Sequence, residues 1–175
     1  MQRILVAGAT GSGKSTLARA VSTRLEIPYH EMDELYFAGP NWRENPQFTT
    51  RIREIADSPT WIFDSFGYPK VRDLLWERAD TVVWLDYPRR VVMPRVLRRS
   101  LRRTVLRERL FNGNRETLTD WFTRDHPART SWTQHGPRRA EIGARAGDTR
   151  FAPLRTLRFT APRAAAGWLR TLPGS

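Results

Sequence analysis

The sequence predicts an α/β fold: a five-stranded parallel sheet with helices on both faces. Three observations carry this. Short apolar runs alternate with segments of helical periodicity along the chain. The runs read as continuous apolar stretches, as buried parallel strands do. Four of the five end on a glycine-rich loop or an aspartate, so polar chemistry gathers at one edge of the sheet.

The elements follow in order. Ile4 to Ala7 is the first strand. Residues 14–25 are a helix, with Leu17, Ala18, Val21 and Leu25 at helical spacing. Ile27 to Met32 is a second strand ending at Asp33. Gly39-Pro40 makes a turn, and Pro46 starts a helix over 46–57 that carries Phe48, Ile52 and Ile55. Trp61-Ile62-Phe63 is the third strand, ending at Asp64. Pro69 opens a helix through Arg78. Thr81 to Leu85 is the fourth strand, ending at Asp86. Pro88 opens a long helix to about Leu110, packed through Met93, Leu97, Leu101, Val105 and the pair Leu106/Leu110. Asn112-Gly113-Asn114 supplies turn chemistry for a lid over roughly 104–122. A helix over 117–145, a fifth strand within 153–159 and a closing helix over 161–172 complete one domain, 1–175.

Between the first strand and the first helix stands Gly8-Ala9-Thr10-Gly11-Ser12-Gly13-Lys14-Ser15, a complete G-x-x-x-x-G-K-[ST] motif. Glycines let the backbone curl so that successive N–H groups face inward as an anion nest. The helix N-terminus adds its positive dipole end. Gly8, Thr10, Gly11, Ser12, Gly13, Lys14, Ser15 and Thr16 are therefore the expected nucleotide-binding residues. Lys14 is expected to reach the β- and γ-phosphates of ATP, and Ser15 to hold Mg²⁺. Only Lys14 and Lys70 are lysines, against 28 arginines. A chain that writes arginine almost everywhere keeps a flexible point charge at the phosphate.

Composition narrows the function classes. The chain has no cysteine, which excludes disulfides, thiolate zinc and thiol nucleophiles. No apolar stretch approaches a membrane span, and the first apolar run is too short for a signal peptide, so a cytoplasmic protein is expected. The net charge of +12 is concentrated. Residues 1–88 hold 10 basic against 12 acidic side chains, and residues 89–115 hold 10 arginines against Glu108 alone. A block of this kind points to one polyanionic ligand or one surface.

In the order of these parts the chain resembles the P-loop small-molecule kinases: adenylate, shikimate and gluconate kinases. More narrowly it resembles the adenylate-kinase-like proteins labelled DNA topology modulation (FlaR-like). The matching pieces are residues 3–16, 28–36, 61–68, 82–89, 111–116 and 132–135. The resemblance implies a three-layer P-loop NTPase fold, strand order 2-3-1-4-5, and a helical lid. Matched from Asp86, it places Arg95 and Arg99 where kinase arginines meet the nucleotide near the lid. It places Thr160-Ala161-Pro162-Arg163 where such kinases cradle adenine. The chain departs after Asp64, with Ser-Phe-Gly-Tyr-Pro-Lys where adenylate kinases have Gly-Phe-Pro-Arg. The features that select a nucleobase on a monophosphate acceptor are not cleanly present.

The expected chemistry is transfer of the γ-phosphoryl group of ATP to a small acceptor, which needs positioning and charge neutralisation. Lys14 and the loop amides hold the phosphates. Ser15 and Asp64 hold Mg²⁺, since the third strand neighbours the first in this fold; a helix or turn cap is the structural alternative for Asp64. Asp33 is the candidate base for an alcohol acceptor, or else a cap or ion-pair partner. Arg95, Arg99 and Arg115 are the expected phosphate contacts. His30, His126 and His135 lack ligand spacing. Trp121 and Trp132 read as packing. The expected partners are a nucleoside triphosphate and a small molecule, in a monomer or homodimer. A nucleotide-dependent nucleic-acid-binding regulator and a bare ATPase are the alternatives. The first is less favoured, because the aromatics do not interleave with the arginines.

Overall fold

The computed structural model describes residues 1–39, 42–106, 109–110, 114–115 and 127–174. In chain order the elements are β1 (Arg3–Gly8), α1 (Lys14–Leu25), β2 (Tyr29–His30), α2 (Met32–Tyr36), α3 (Phe48–Ala56) and β3 (Trp61–Phe63). They continue with α4 (Arg72–Arg78), β4 (Thr81–Leu85), α5 (Arg89–Val105), β5 (Arg109–Leu110) and β6 (Asn114–Arg115). The last are α6 (Pro127–Ala146), a 3₁₀ turn (Thr149–Phe151), β7 (Arg155–Phe159) and α7 (Pro162–Thr171).

Five strands form one sheet in the order β2-β3-β1-β4-β7, every pair parallel. Numbered among themselves these are strands 2-3-1-4-5, as the resemblance to the P-loop kinases implies. β1 is central: Ile4 lies opposite both Ile62 of β3 and Thr81 of β4, and Gly8 lies opposite Leu85. Side chains alternate across the sheet. Ile4, Val6, Ile62, Val83 and Leu85 pack on one face with Leu17, Ala18 and Val21 of α1, Val92 of α5 and Ala165 of α7. Leu5, Ala7, Trp61, Phe63, Val82 and Trp84 pack on the other with α3, with Leu75 and Trp76 of α4, and with Ile142 of α6. β5 and β6 pair antiparallel in a small second sheet.

Two elements differ from expectation, each for a long-range reason. The second strand stops at His30, and the chain turns into α2, because the backbone N–H of Met32 donates to the Asp64 carboxylate at 3.0 Å. Asp33 therefore lies in the first turn of a short helix, not at a strand end. α5 buries Val92, Val96 and Ser100, while Leu97, Leu101, Val105 and Leu106 are exposed, so the packing stripe is rotated from the one predicted. The inward face of α5 meets the backbone of the glycine loop at Gly11. α6 is described from Pro127, and the earlier part of the helix predicted over 117–145 lies outside the described residues. Much of the lid predicted over 104–122, with Asn112 and Gly113, lies outside the described residues, as do Trp121 and His126.

Candidate functional site

The glycine loop leaves the C-terminal end of β1 and enters α1 through Gly13, whose φ of 92° is left-handed. No side chain caps α1. Its first amides thus keep their donors for an anion. Gly11, at φ 81°, has no room for a side chain. A Cβ there would sit 2.5 Å from Val96 Cγ2 and 2.8 Å from the Val92 carbonyl oxygen. The loop is pressed directly onto α5.

Lys14 points back over the loop, its Nζ donating to the Ala9 carbonyl at 3.2 Å. Burial and then the Arg138 guanidinium lower its pKa from 10.5 to about 8, against the opposing pull of Asp64 and Asp33. The site therefore holds crowded positive charge that a phosphate chain would relieve. Ser15 donates its hydroxyl to Asp64 Oδ2. The same oxygen accepts from the Tyr29 hydroxyl at 3.0 Å, and Oδ1 accepts from the Met32 amide. β3 does lie beside β1, so Asp64 stands next to the loop.

The other predicted residues are placed as follows. Gly8 ends β1, and Ser12 is buried within the loop with its carbonyl accepting from Arg95 Nη1 at 3.4 Å. Thr10 Oγ1 accepts from Arg138 Nη1 at 3.2 Å. Thr16 is exposed on the first turn of α1. Arg99 is half-buried on α5, and its charge acts on Lys14. The backbone of Arg115 lies in β6; its side chain is outside the description. Asp33 is exposed, and its Oδ1 accepts from the Tyr68 hydroxyl at 2.8 Å. Burial, then the Asp33 charge, push the Tyr68 pKa up, so this phenol stays a donor.

Sequence reasoning missed Arg138. It sits on α6, 128 residues from Thr10, and reaches the loop across the cleft. Gln134 Oε1 accepts from its Nη2 at 3.0 Å, and its guanidinium lies 5.8 Å from the centre of the Phe66 ring. A basic residue one helical turn after Gln134 was the only local signal. Asp86 is a different case: although it ends β4, it is buried between Arg139 and Arg158, at 2.6 Å from each. Arg158 also stacks 4.6 Å over Trp84. Asp86 pins α6 to β7 and does not face the loop. His135, buried on α6, contacts the Tyr87 carbonyl at 2.9 Å.

No protein-family model matches the chain, and no curated protein matches its sequence. Solved structures match along nearly all of it. A shikimate kinase from Acinetobacter baumannii in complex with shikimate gives a TM-score of 0.56 at 15% identity, over 97% of this chain and 89% of that one. The fold is that of the P-loop kinases. A gluconokinase from Sinorhizobium meliloti 1021 gives 0.53 at 19% identity, over 97% and 87%. A deoxyadenosine kinase from M. mycoides with bound dCTP gives 0.52 at 11% identity, over 95% and 96%. Likeness at such identities speaks for fold; substrate has to be argued from the site.

Among the described residues no helix is long and apolar enough to cross a membrane. Nor do they hold a group of three or more His, Cys, Asp or Glu suited to a metal.

Proposed function

We propose that the chain is an adenylate-kinase-like phosphotransferase that moves the γ-phosphoryl group of ATP to a small acceptor. One observation carries the reading. The glycine loop, Lys14, the Ser15–Asp64 pair and Arg138 converge at the C-terminal ends of adjacent parallel strands, with Asp33 across from them.

Ser15 and Asp64 suit Mg²⁺: both are hard oxygen donors, and this ion is held by one or two protein oxygens plus nucleotide phosphates and water. Bound, Mg²⁺ would neutralise phosphate charge. The protein's own groups do the rest. Loop amides and the α1 N-terminus cradle the phosphates. Lys14 supplies a mobile charge to the transferring group. Arg138 comes from the opposite wall, and Arg95 and Arg99 come from α5, which touches the loop. A planar guanidinium there meets charge developing on the equatorial oxygens. Asp33 stands on the acceptor side.

The test is transfer from γ-labelled ATP to pooled metabolites, with Lys14→Ala as control. Labelled product is expected from the wild-type chain, and a drop of at least ~10²-fold in the variant, the scale of one lost charge-stabilising group. Transfer surviving in Lys14→Ala would refute the reading.

A further inference from the structure

α5 presents two unlike faces. The inner one presses Val96 and the Val92 carbonyl on the glycine loop at Gly11. The outer one is open to solvent, yet much of it is apolar. Leu97 is 44% exposed, Leu101 56% and Val105 69%. Successive members are four residues apart, so they form one row along the helix. At 1.5 Å per residue the row is about 12 Å long. Among the described residues the other large apolar side chains left comparably open are Leu106, at the end of the same helix, and the scattered Met1, Trp42 and Trp132. A second exposed row, Arg90, Pro94, Arg98 and Arg102, runs beside the first at the same spacing. Arg98 stands three residues before Leu101, and Arg102 three before Val105, so each cation neighbours an apolar side chain. Arg90 and Arg98 enter no salt bridge among the described residues. No acidic residue occurs from Arg89 to Leu106.

An apolar row in water, edged by charge of one sign, marks a contact surface. Three occupants can be weighed by complementarity. A second copy of the chain would set these arginines against the same arginines. A nucleic acid would match the arginines, but its phosphates offer the leucines nothing apolar. An anionic bilayer matches both rows at once. Apolar side chains enter the boundary of the acyl chains, while the guanidinium groups stay level with the lipid phosphates. We propose that the outer face of α5 docks on the surface of an anionic phospholipid membrane, with Leu97, Leu101 and Val105 inserted and Arg90, Arg98 and Arg102 on lipid phosphates. The chain then lies on the membrane without crossing it. This surface is independent of the phosphotransferase reading, because it lies on the side of α5 away from the loop.

The experiment is co-sedimentation of the full chain with two kinds of vesicle at physiological salt: phosphatidylcholine alone, and phosphatidylcholine with a quarter phosphatidylglycerol. Binding to the anionic vesicles is expected to be at least ~10-fold the stronger. Replacing Arg90→Gln and Arg98→Gln together is expected to weaken it by about 20-fold, roughly fivefold for each cation near a charged lipid surface. Leu97→Gln with Leu101→Gln leaves the net charge unchanged and is expected to weaken it at least ~10-fold. All four side chains are exposed, so the Tm is expected to stay at the wild-type value. Val105→Gln alone repeats the apolar test should the leucine pair lower it. Equal binding to both kinds of vesicle, or binding to neither, overturns the proposal. Binding that ignores the loss of the leucines also overturns it, and would show diffuse attraction of a chain with net charge +12. Submicromolar binding of duplex DNA at the same salt, lost with Arg90 and Arg98 while vesicles stay unbound, would give the face to a nucleic acid. A dimer in sedimentation velocity that the leucine pair dissociates would give it to a second copy.

Discussion

If the glycine loop takes a nucleotide as proposed, Lys14 makes that binding a proton-coupled event. Its ammonium is crowded in the ligand-free protein, so the pKa falls from 10.5 to about 8, with burial the largest cause and Arg138 next. A triphosphate reverses the second effect and stabilises the charged form. At pH 7 about nine in ten Lys14 side chains already carry the proton; at pH 9 about one in ten do. Binding at pH 9 must therefore take up close to one proton, and affinity is expected to fall by up to tenfold per pH unit above about 8. If the nucleotide restores the ordinary value, the fall levels off after about 2.5 pH units, or about 3 kcal/mol at 1.36 kcal/mol per unit. Phosphate itself does not confuse the reading, since its last ionisation lies near pH 6. Titration calorimetry at pH 9 in two buffers of different ionisation enthalpy counts the protons directly. Lys14→Met is expected to abolish the uptake. Zero uptake at pH 9, with affinity flat from pH 7.5 to 9.5, would refute the reasoning. Folding stability carries the opposite sign. The unfolded chain keeps this proton to about pH 10.5 and the folded one releases it near 8, so in that window the ligand-free protein gains stability as pH rises.

Arg138→Ala is expected to lower kcat by ~10²–10³-fold with little change in the KM for ATP, as for a lost transition-state donor; initial rates check this, and a loss under about threefold would remove Arg138 from the site. Asp86→Ala is expected to cost about 1–3 kcal/mol, read as a lower Tm. The side chains of Arg139 and Arg158 are about half exposed and can turn to water, so the loss stays below that of a fully stranded buried charge. Gly11→Ala is expected to abolish ATP binding, measured by calorimetry. Adding Val96→Ala would not restore it, because the Val92 carbonyl and the left-handed φ remain.

The fold was legible because strand identity is local. A parallel strand covered on both faces announces itself as an apolar run, and the loop motif fixes which run is central. The candidate phosphate loop was legible as a unit for the same reason, since Gly8 to Ser15 are contiguous. What sequence reading missed depends on partners far away. Met32 starts a helix because of Asp64. Val92 and Val96 lie on the buried face of α5, whose backbone and Val96 side chain press on Gly11. Arg138 reaches Thr10, and Arg139 and Arg158 claim Asp86; nothing within a turn of these residues encodes either contact. The ten arginines of 89–115 look like one feature in sequence. In the fold Arg95 touches the loop while Arg90, Arg98 and Arg102 are exposed.

The two oxygens of Asp64 face different halves of the molecule. Oδ2 receives the hydroxyl of Ser15 beneath the phosphate loop, and Oδ1 receives the amide from which α2 hangs. The carboxylate is a rigid plane, so a turn that re-aims Oδ2 would also move the support offered to Met32, one residue before Asp33. In the proposed kinase, occupancy of the loop and the pose of α2 would be joined through this single side chain. Such a linkage is reciprocal: whatever free energy a first substrate contributes to the affinity of the second, the second returns to the first. Asp64 would thus give the two proposed sites a route to synergistic binding, and an Asp64→Asn protein that still binds each substrate separately would bind them as strangers.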